Sequence, residues 1–225
     1  MKPLFKQYLG AAAAGLFVAA VAVNLYGNYL GDSLLANRSK PLLMPLLALT
    51  ALLFFPEGRS RRERLLLVAA LAFGTAGDVF LMYSGQSFFL LGMGMFLLGH
   101  LCYLTLFATM GVYRRVGKPG WLMGPSAMAA IACSLVVTMK VPFPMALAVG
   151  IYGFVLLLIP LSGIFARSGI LLLGGVLFAF SDSLIALRSF AGVRIFAHTG
   201  FVIMLTYILA QSLLSVGIIR YKNEE

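Results

Sequence analysis

Residues 64–83 form the run RLLLVAALAFGTAGDVFLMY. Its length suits a membrane-spanning helix, which needs about 20 apolar residues to cross the hydrocarbon layer. The run nevertheless contains an acidic residue, Asp78. A charged side chain at mid-membrane costs at least about 2.5–3.5 kcal/mol. Asp78 is therefore either a functional residue that faces a cavity or a structural anchor that is bonded to its neighbours.

Apolar segments continue along nearly the whole chain of 225 residues, which is 61% hydrophobic and 11% charged. Soluble domains carry about 25% charged residues. The pattern predicts an all-α, polytopic membrane protein with a single transmembrane domain over residues 1–225. The predicted bundle has eight spans, at residues 7–30, 41–56, 64–83, 88–109, 119–139, 143–165, 169–187 and 195–219.

Two of these spans have unusual beginnings. The first resembles a secretory signal because Lys2 and Lys6 precede it, but its apolar run exceeds the roughly 7–15 residues of a signal core. The second is predicted to begin at Pro41 and to include Pro45 in its first turns. A missing amide proton is tolerated at a helix start.

Basic residues predict the orientation of the bundle. Twelve Lys and Arg residues lie on one side of the predicted spans and five on the other. The excess marks the cytoplasmic side, so both termini are predicted in the cytoplasm of a multi-pass protein of the bacterial inner membrane. The net charge of +10 does not indicate a nucleic-acid partner, because the basic residues occupy short gaps between apolar segments.

Only two of the seven acidic residues, Asp78 and Asp182, lie inside predicted spans. Both spans run outward, and the predicted ends place each carboxylate about 8–9 Å below the outer boundary at a rise of 1.5 Å per residue. The short sequences GDVFLM and SDSLIA around them are four helices apart. They predict a weak repeat of four plus four helices, over residues of about 1–110 and 119–219.

Further polar residues occur in pairs within single spans. His100 and Tyr103 are three residues apart, and Tyr207 and Gln211 are four apart, so each pair lies on neighbouring positions of one helix surface. A satisfied core histidine and interhelical hydrogen bonds are the alternatives. Asn24 is predicted to line an outward-facing cavity or to cap the end of its helix.

Several catalytic classes are excluded by the residue types. Two histidines are too few for a three-histidine zinc site. The sequence has no nucleophile elbow, P-loop or dinucleotide-binding motif. No metal and no cofactor are predicted, so any chemistry depends on carboxylates helped by His, Tyr or Lys.

Five segments carry a resemblance to a known family. They read SKPLLMPLL, GTAGDVFLM, LGMGMFLLGHLCYLTLF, GGVLFAFSDSLIA and LTYILAQSLL, and they extend from residue 39 to residue 214. In order and spacing the chain resembles the YhhN family of membrane proteins, which includes lysoplasmalogenases. The resemblance implies hydrolysis of the vinyl ether bond of a lysophospholipid, with a fatty aldehyde and a glycerophospho-headgroup as products.

The resemblance also implies site residues. Asp78 and Asp182 would be the catalytic pair. The predicted substrate-binding residues are Lys40, His100, Tyr103, Ser181, Tyr207, Gln211 and Asn24. Membrane lipids are the other predicted partners.

Acid cleavage of a vinyl ether needs a proton donor, a stabiliser of positive charge and a base that steers water. Two carboxylates in different protonation states can supply all three, much as in glycosidases. Asp182 is predicted to be the acid because Phe178, four residues earlier, makes its surroundings dry. Asp78 has small neighbours, including Gly74, which leave room for water.

Basic residues at the predicted outer rim are Lys40, Arg188 and Arg194. They are predicted either to hold the substrate phosphate or to act as ordinary interfacial anchors. One alternative function is a proton-coupled transporter of small molecules or lipids that uses the same two carboxylates. Another is a non-catalytic lipid-binding or scaffold protein.

Overall fold

The structure is a computed structural model that describes residues 3–115, 142–190 and 196–221. Within these ranges all regular secondary structure is helical. The α-helices are α1 (Pro3–Leu30), α2 (Ser33–Phe54), α3 (Arg61–Phe80), α4 (Gln86–Thr109), α5 (Phe143–Phe165), α6 (Gly169–Phe190) and α7 (Thr199–Arg220). A single 3₁₀ turn, Val112–Arg115, follows α4. The predicted span at 119–139 lies outside the described residues.

The described helices form a closed ring. Each packs against the next one in sequence, and α7 packs back against α1 and α2. Small residues allow the close approaches, as membrane helices commonly require. A Cβ added to Gly163 of α5 would lie 2.4 Å from the backbone nitrogen of Leu172 in α6, and one added to Gly175 would lie 2.6 Å from Pro160. The ring encloses an interior. Six helices, α2 to α7, direct polar side chains into it.

The outer surface of the ring suits lipid. Large apolar side chains such as Leu16, Leu173 and Leu209 are exposed there. Among the described residues, five helices are long and apolar enough to cross a membrane, namely Leu4–Leu30, Gln86–Thr109, Phe143–Phe165, Gly169–Ser189 and Thr199–Arg220. An all-α membrane protein is thus confirmed, but eight spans are not supported.

The two remaining helices fall short because of their charged residues. The first turns of α2 contain Arg38 and Lys40, and α3 begins with Arg61, Arg62 and Glu63 before it reaches Asp78 near its end. The orientation of the termini and the repeat of four plus four helices stay predictions.

The beginning of α2 corrects the sequence prediction. The helix begins at Ser33 and not at Pro41, because Asp32 caps it by accepting a hydrogen bond from the backbone N–H of Leu35 at 3.1 Å. Pro41 and Pro45 consequently lie inside the helix. Lys40 therefore belongs to the second helical turn and not to a loop.

The predicted helix ends beside the two carboxylates also change. Helix α3 ends at Phe80, two residues after Asp78, whereas α6 continues to Phe190, eight residues after Asp182. The equal depth of the two carboxylates, which is counted from the predicted ends, stays a prediction. The contacts described below relate the two residues more directly.

At the end of the bundle where α2 ends and α3 begins, the loop between these two helices is attached to the end of α7. The guanidinium group of Arg59 donates hydrogen bonds to the carbonyl oxygens of Ile218 at 3.1 Å and Tyr221 at 2.9 Å. Its Nε atom pairs with Glu63. These contacts satisfy helix-end carbonyls that have no partner within the helix.

Candidate active site

Asp78 forms an ion pair with Lys40 inside the ring. The Nζ atom of Lys40, from α2, lies 3.2 Å from Oδ1 of Asp78, from α3. The two side chains are only 17% and 3% exposed. Because the pair is largely removed from water, the ammonium group of Lys40 stabilises the charged form of Asp78 much more than a surface lysine would.

Asp78 also lies beside Tyr207 of α7. Both Oδ2 of Asp78 and the hydroxyl oxygen of Tyr207 are buried without a hydrogen bond of standard geometry, although the two groups are close enough to interact. Gly74 provides the space beside them. A Cβ at Gly74 would lie 3.2 Å from the Tyr207 hydroxyl and 3.4 Å from Nε2 of Gln211. This arrangement has buried polar atoms whose remaining hydrogen-bonding capacity can orient water.

A polar stripe continues along α7 from this point. Tyr207, Gln211 and Ser215 follow one another at intervals of four residues, so they share one face of the helix. Tyr103 of α4 donates a hydrogen bond to Oε1 of Gln211 at 2.5 Å. All four residues are buried. Tyr207 therefore interacts with Gln211 of this stripe as well as with Asp78.

Asp182 has a different partner. Its Oδ2 atom accepts a hydrogen bond from the hydroxyl group of Tyr152, on α5. The imidazole ring of His100 packs edge-on against Tyr152, with ring centroids 5.6 Å apart, and against Phe178, with centroids 4.6 Å apart. Neither nitrogen of His100 has a hydrogen bond of standard geometry. His100 therefore packs against Tyr152, the hydrogen-bond partner of Asp182, through its ring.

The two carboxylates belong to one electrostatic environment. Asp182 lies close enough to Asp78 and Lys40 for both of their charges to act on it. Phe178 contacts neighbours of both carboxylates. Besides His100, it packs edge-on against Tyr207, with ring centroids 5.7 Å apart. The interior therefore holds one carboxylate beside a cation and one beside a neutral phenol.

A cavity of about 810 Å³ lies beside this interior. It is at the end of the bundle where α1, α3 and α6 end and α2, α4 and α7 begin. Its polar lining includes Asn28, Asp32, Asn37, Lys40, Arg188 and His198, and neither Asp78 nor Asp182 is among its described lining residues. Lys40 both lines the cavity and pairs with Asp78, so it lies between the cavity and that carboxylate.

Comparison with protein families agrees with the motifs that carry these residues. The model of the YhhN family matches residues 35–218. The chain belongs to the YhhN family. Comparison with curated proteins and with solved structures found no match. The matched range contains both carboxylates, Asp78 and Asp182, and their partners Lys40, Tyr152 and Tyr207.

Two predicted substrate-binding residues of this YhhN family member serve helix packing in the structure. Asn24 is fully buried and donates hydrogen bonds to the carbonyl oxygen of Ala36 at 2.9 Å and to Oγ of Ser39 at 3.0 Å. Ser181 donates to the carbonyl oxygen of Ile203 at 3.1 Å. These bonds connect α1 with α2 and α6 with α7, and a substrate-binding role for the two side chains stays a prediction.

Other predicted residues take different places. Tyr103 and Gln211 support the site from behind, whereas Lys40, Tyr207 and His100 contact the carboxylates or their partners. Arg188 lines the cavity as predicted for a rim residue, and Arg194 lies outside the described residues. Among the described residues, no group of three or more His, Cys, Asp and Glu side chains could hold a metal ion.

Tyr152 is the functional candidate that sequence analysis of this YhhN family member missed. It lies in the sequence GIYG, within the very apolar helix α5. A single tyrosine has no partner at helical spacing, so periodicity gives no signal. The one usable indication is a hydroxyl group in mid-span, which needs a hydrogen-bond partner when it is buried.

Proposed function

We propose that this protein is a membrane hydrolase that cleaves the vinyl ether bond of lysoplasmalogens. One observation carries the proposal: two buried carboxylates have opposite kinds of partner, and Lys40, the partner of Asp78, lines a cavity that contains further basic and polar groups. The reaction needs one carboxyl group in the acid form and one in the charged form. Lys40 supports the charged form of Asp78, and the neutral phenol of Tyr152 supplies no compensating positive charge to Asp182.

In the proposed reaction, Asp182 donates its proton to the β-carbon of the vinyl ether, which gives an oxocarbenium ion. Asp78 accepts a proton from water as the water oxygen bonds to the α-carbon. The resulting hemiacetal then collapses: its hydroxyl proton returns to Asp182, and Asp78 protonates the departing glycerol oxygen. The products are an aldehyde and an alcohol, and both carboxyl groups regain their starting states. General acid–base help of this kind is worth about 10²–10⁴-fold in rate.

The cavity supports the choice of a lysolipid substrate. Its volume of about 810 Å³ is within the roughly 300–1,000 Å³ that small-molecule sites occupy. Arg188, at its mouth, can pair with a phosphate group. In a membrane-embedded ring the aliphatic chain of such a substrate has an apolar environment nearby. We further propose that α2 and α3 also cross the membrane, since both belong to the same closed ring.

The test is aldehyde release from a lysoplasmalogen by the purified full-length protein in detergent. Wild-type protein should release aldehyde and glycerophospho-headgroup in equal amounts. Asp78→Asn and Asp182→Asn should each abolish most of the activity while thermal unfolding still shows a folded protein. Wild-type rates in both variants would overturn the two-carboxylate mechanism. Proton-gradient-dependent uptake into liposomes without aldehyde would favour the transporter instead.

A further inference from the structure

Asp182 has two oxygen atoms, and only one of them can carry the proton that the proposed reaction transfers. The hydroxyl group of Tyr152 is hydrogen-bonded to Oδ2 of Asp182. A phenol has a single O–H to donate. When Tyr152 donates that proton to Oδ2, the transferable proton of a neutral Asp182 must be on Oδ1.

The position of Tyr152 is itself fixed by its neighbours. Its ring is half-buried among core side chains, and His100 of α4 packs edge-on against it at 5.6 Å. His100 is 1% exposed and also contacts Phe178, one turn before Asp182 on α6. Three helices therefore define where the phenol can lie, so its hydroxyl direction is set before any substrate enters.

We infer that Tyr152 is a positioning residue that orients the carboxyl group of Asp182 for proton transfer. The inference rests on the proposed function and adds a residue to it. Tyr152 does not need to touch the substrate, because its effect is exerted through the rotation of the Asp182 side chain. Loss of such orientation acts on the chemical step, since a misplacement of about 1 Å can cost about a hundredfold in rate.

The chain offers a matched control in a second tyrosine that is bonded to the same helix. The hydroxyl of Tyr113 lies 2.7 Å from Oγ of Ser162, which is also on α5 but ten residues from Tyr152. Tyr113→Phe and Tyr152→Phe therefore each remove one phenolic hydroxyl group together with one hydrogen bond that involves a residue of α5. Only Tyr152 contacts a carboxylate of the candidate site.

The experiment measures kcat and KM for aldehyde release, together with the midpoint of thermal unfolding, for wild type, Tyr152→Phe, Tyr113→Phe and Asp182→Asn. Tyr152→Phe should lower kcat by about tenfold to a hundredfold with KM unchanged, because only the chemical step is affected. Tyr113→Phe should leave kcat unchanged. The two Phe variants should unfold at similar temperatures.

Different failures have different meanings. If wild type and Tyr152→Phe have the same kcat while Asp182→Asn is inactive, the positioning role is wrong and the proposed function stands. A large loss of thermal stability in Tyr152→Phe alone, or an increase in KM alone, would also overturn the role. If the wild type releases no aldehyde, the proposed function and this inference fall together.

Discussion

Asp78 and Asp182 are both buried carboxylates in a largely apolar ring, but the groups beside them differ. Asp78 lies beside the ammonium group of Lys40 and close to Tyr207. Asp182 is bonded to the phenol of Tyr152, whose ring packs against His100. Two identical side chains can thus be given different chemical states by their neighbours, as in enzymes that pair an acid with a base.

The largest expected difference concerns the loss of each carboxyl group. Asp182→Asn should lower kcat by about 10⁴-fold and Asp78→Asn by about 10²-fold, the two ends of the usual range for acid–base catalysis. The reason is that protonation of carbon has no substitute, whereas water retains some reactivity toward an oxocarbenium ion. Steady-state aldehyde release measures both values.

Azide sharpens this comparison. As an anion it can add to the oxocarbenium ion without losing a proton, so it should restore product formation in Asp78→Asn as an α-azido ether that mass spectrometry detects. It should do nothing for Asp182→Asn. Recovery in Asp182→Asn but not in Asp78→Asn would reverse the assignment of the two roles.

The ion pair predicts the next effect, which is on stability. Lys40→Met leaves the Asp78 carboxylate buried without its cation, and the loss of one partner of a buried pair costs about 3–5 kcal/mol. Replacing both residues, in Lys40→Met with Asp78→Asn, should recover much of that loss. Unfolding in detergent measures the free energies. Equal values for the single and the double variant would show that the pair contributes nothing to folding.

Gly74 tests the space beside Asp78. Gly74→Ala places a methyl group 3.2 Å from the Tyr207 hydroxyl, and crowding of this kind costs about 1–3 kcal/mol. If crowding raises the activation free energy by about 1.4 kcal/mol, kcat drops by about tenfold. Gly15→Ala is the matched control, because nothing lies within 4 Å of a Cβ there. Equal kcat for both variants would argue against water at this position.

The smallest effect is expected at the surface, where the exposed pair of Lys6 and Glu57 contrasts with the buried one. Lys6 lies 3.1 Å from Glu57 and lowers the pKa of that carboxyl group below its ordinary value of 4.5. Its small stabilising contribution is therefore present above about pH 4.5 and lost as the pH falls further. Glu57→Gln should lower the unfolding midpoint slightly at about pH 7 and not at about pH 3, and added salt should remove the difference.

Sequence analysis located both carboxylates because a charge within an apolar run is visible without any structure. It also gave the bounds of α5 correctly, since Pro142 and the polar residues after Phe165 limit a continuous apolar run. Lys40 was placed at the rim because the prolines suggested a later helix start. The Asp32 cap moved that start earlier and brought the lysine inside.

Contacts between helices could not be predicted in the same way. The partners of Asp78 and Asp182 come from α2, α5 and α7, which are far from them in sequence. Helical spacing relates residues within one helix only. Asn24 and Ser181 illustrate the same limit: both are polar and buried, but their hydrogen bonds go to neighbouring backbones.

The bonds from Arg59 to the end of α7 have a consequence for the order of assembly. Helix α7 follows the other described helices in the sequence, yet it supplies Tyr207 and packs back against α1 and α2. The ion pair of Lys40 and Asp78 lies between α2 and α3, whereas Tyr207 reaches Asp78 from α7. The buried surroundings of Asp78 are therefore complete only once α7 has packed into the ring.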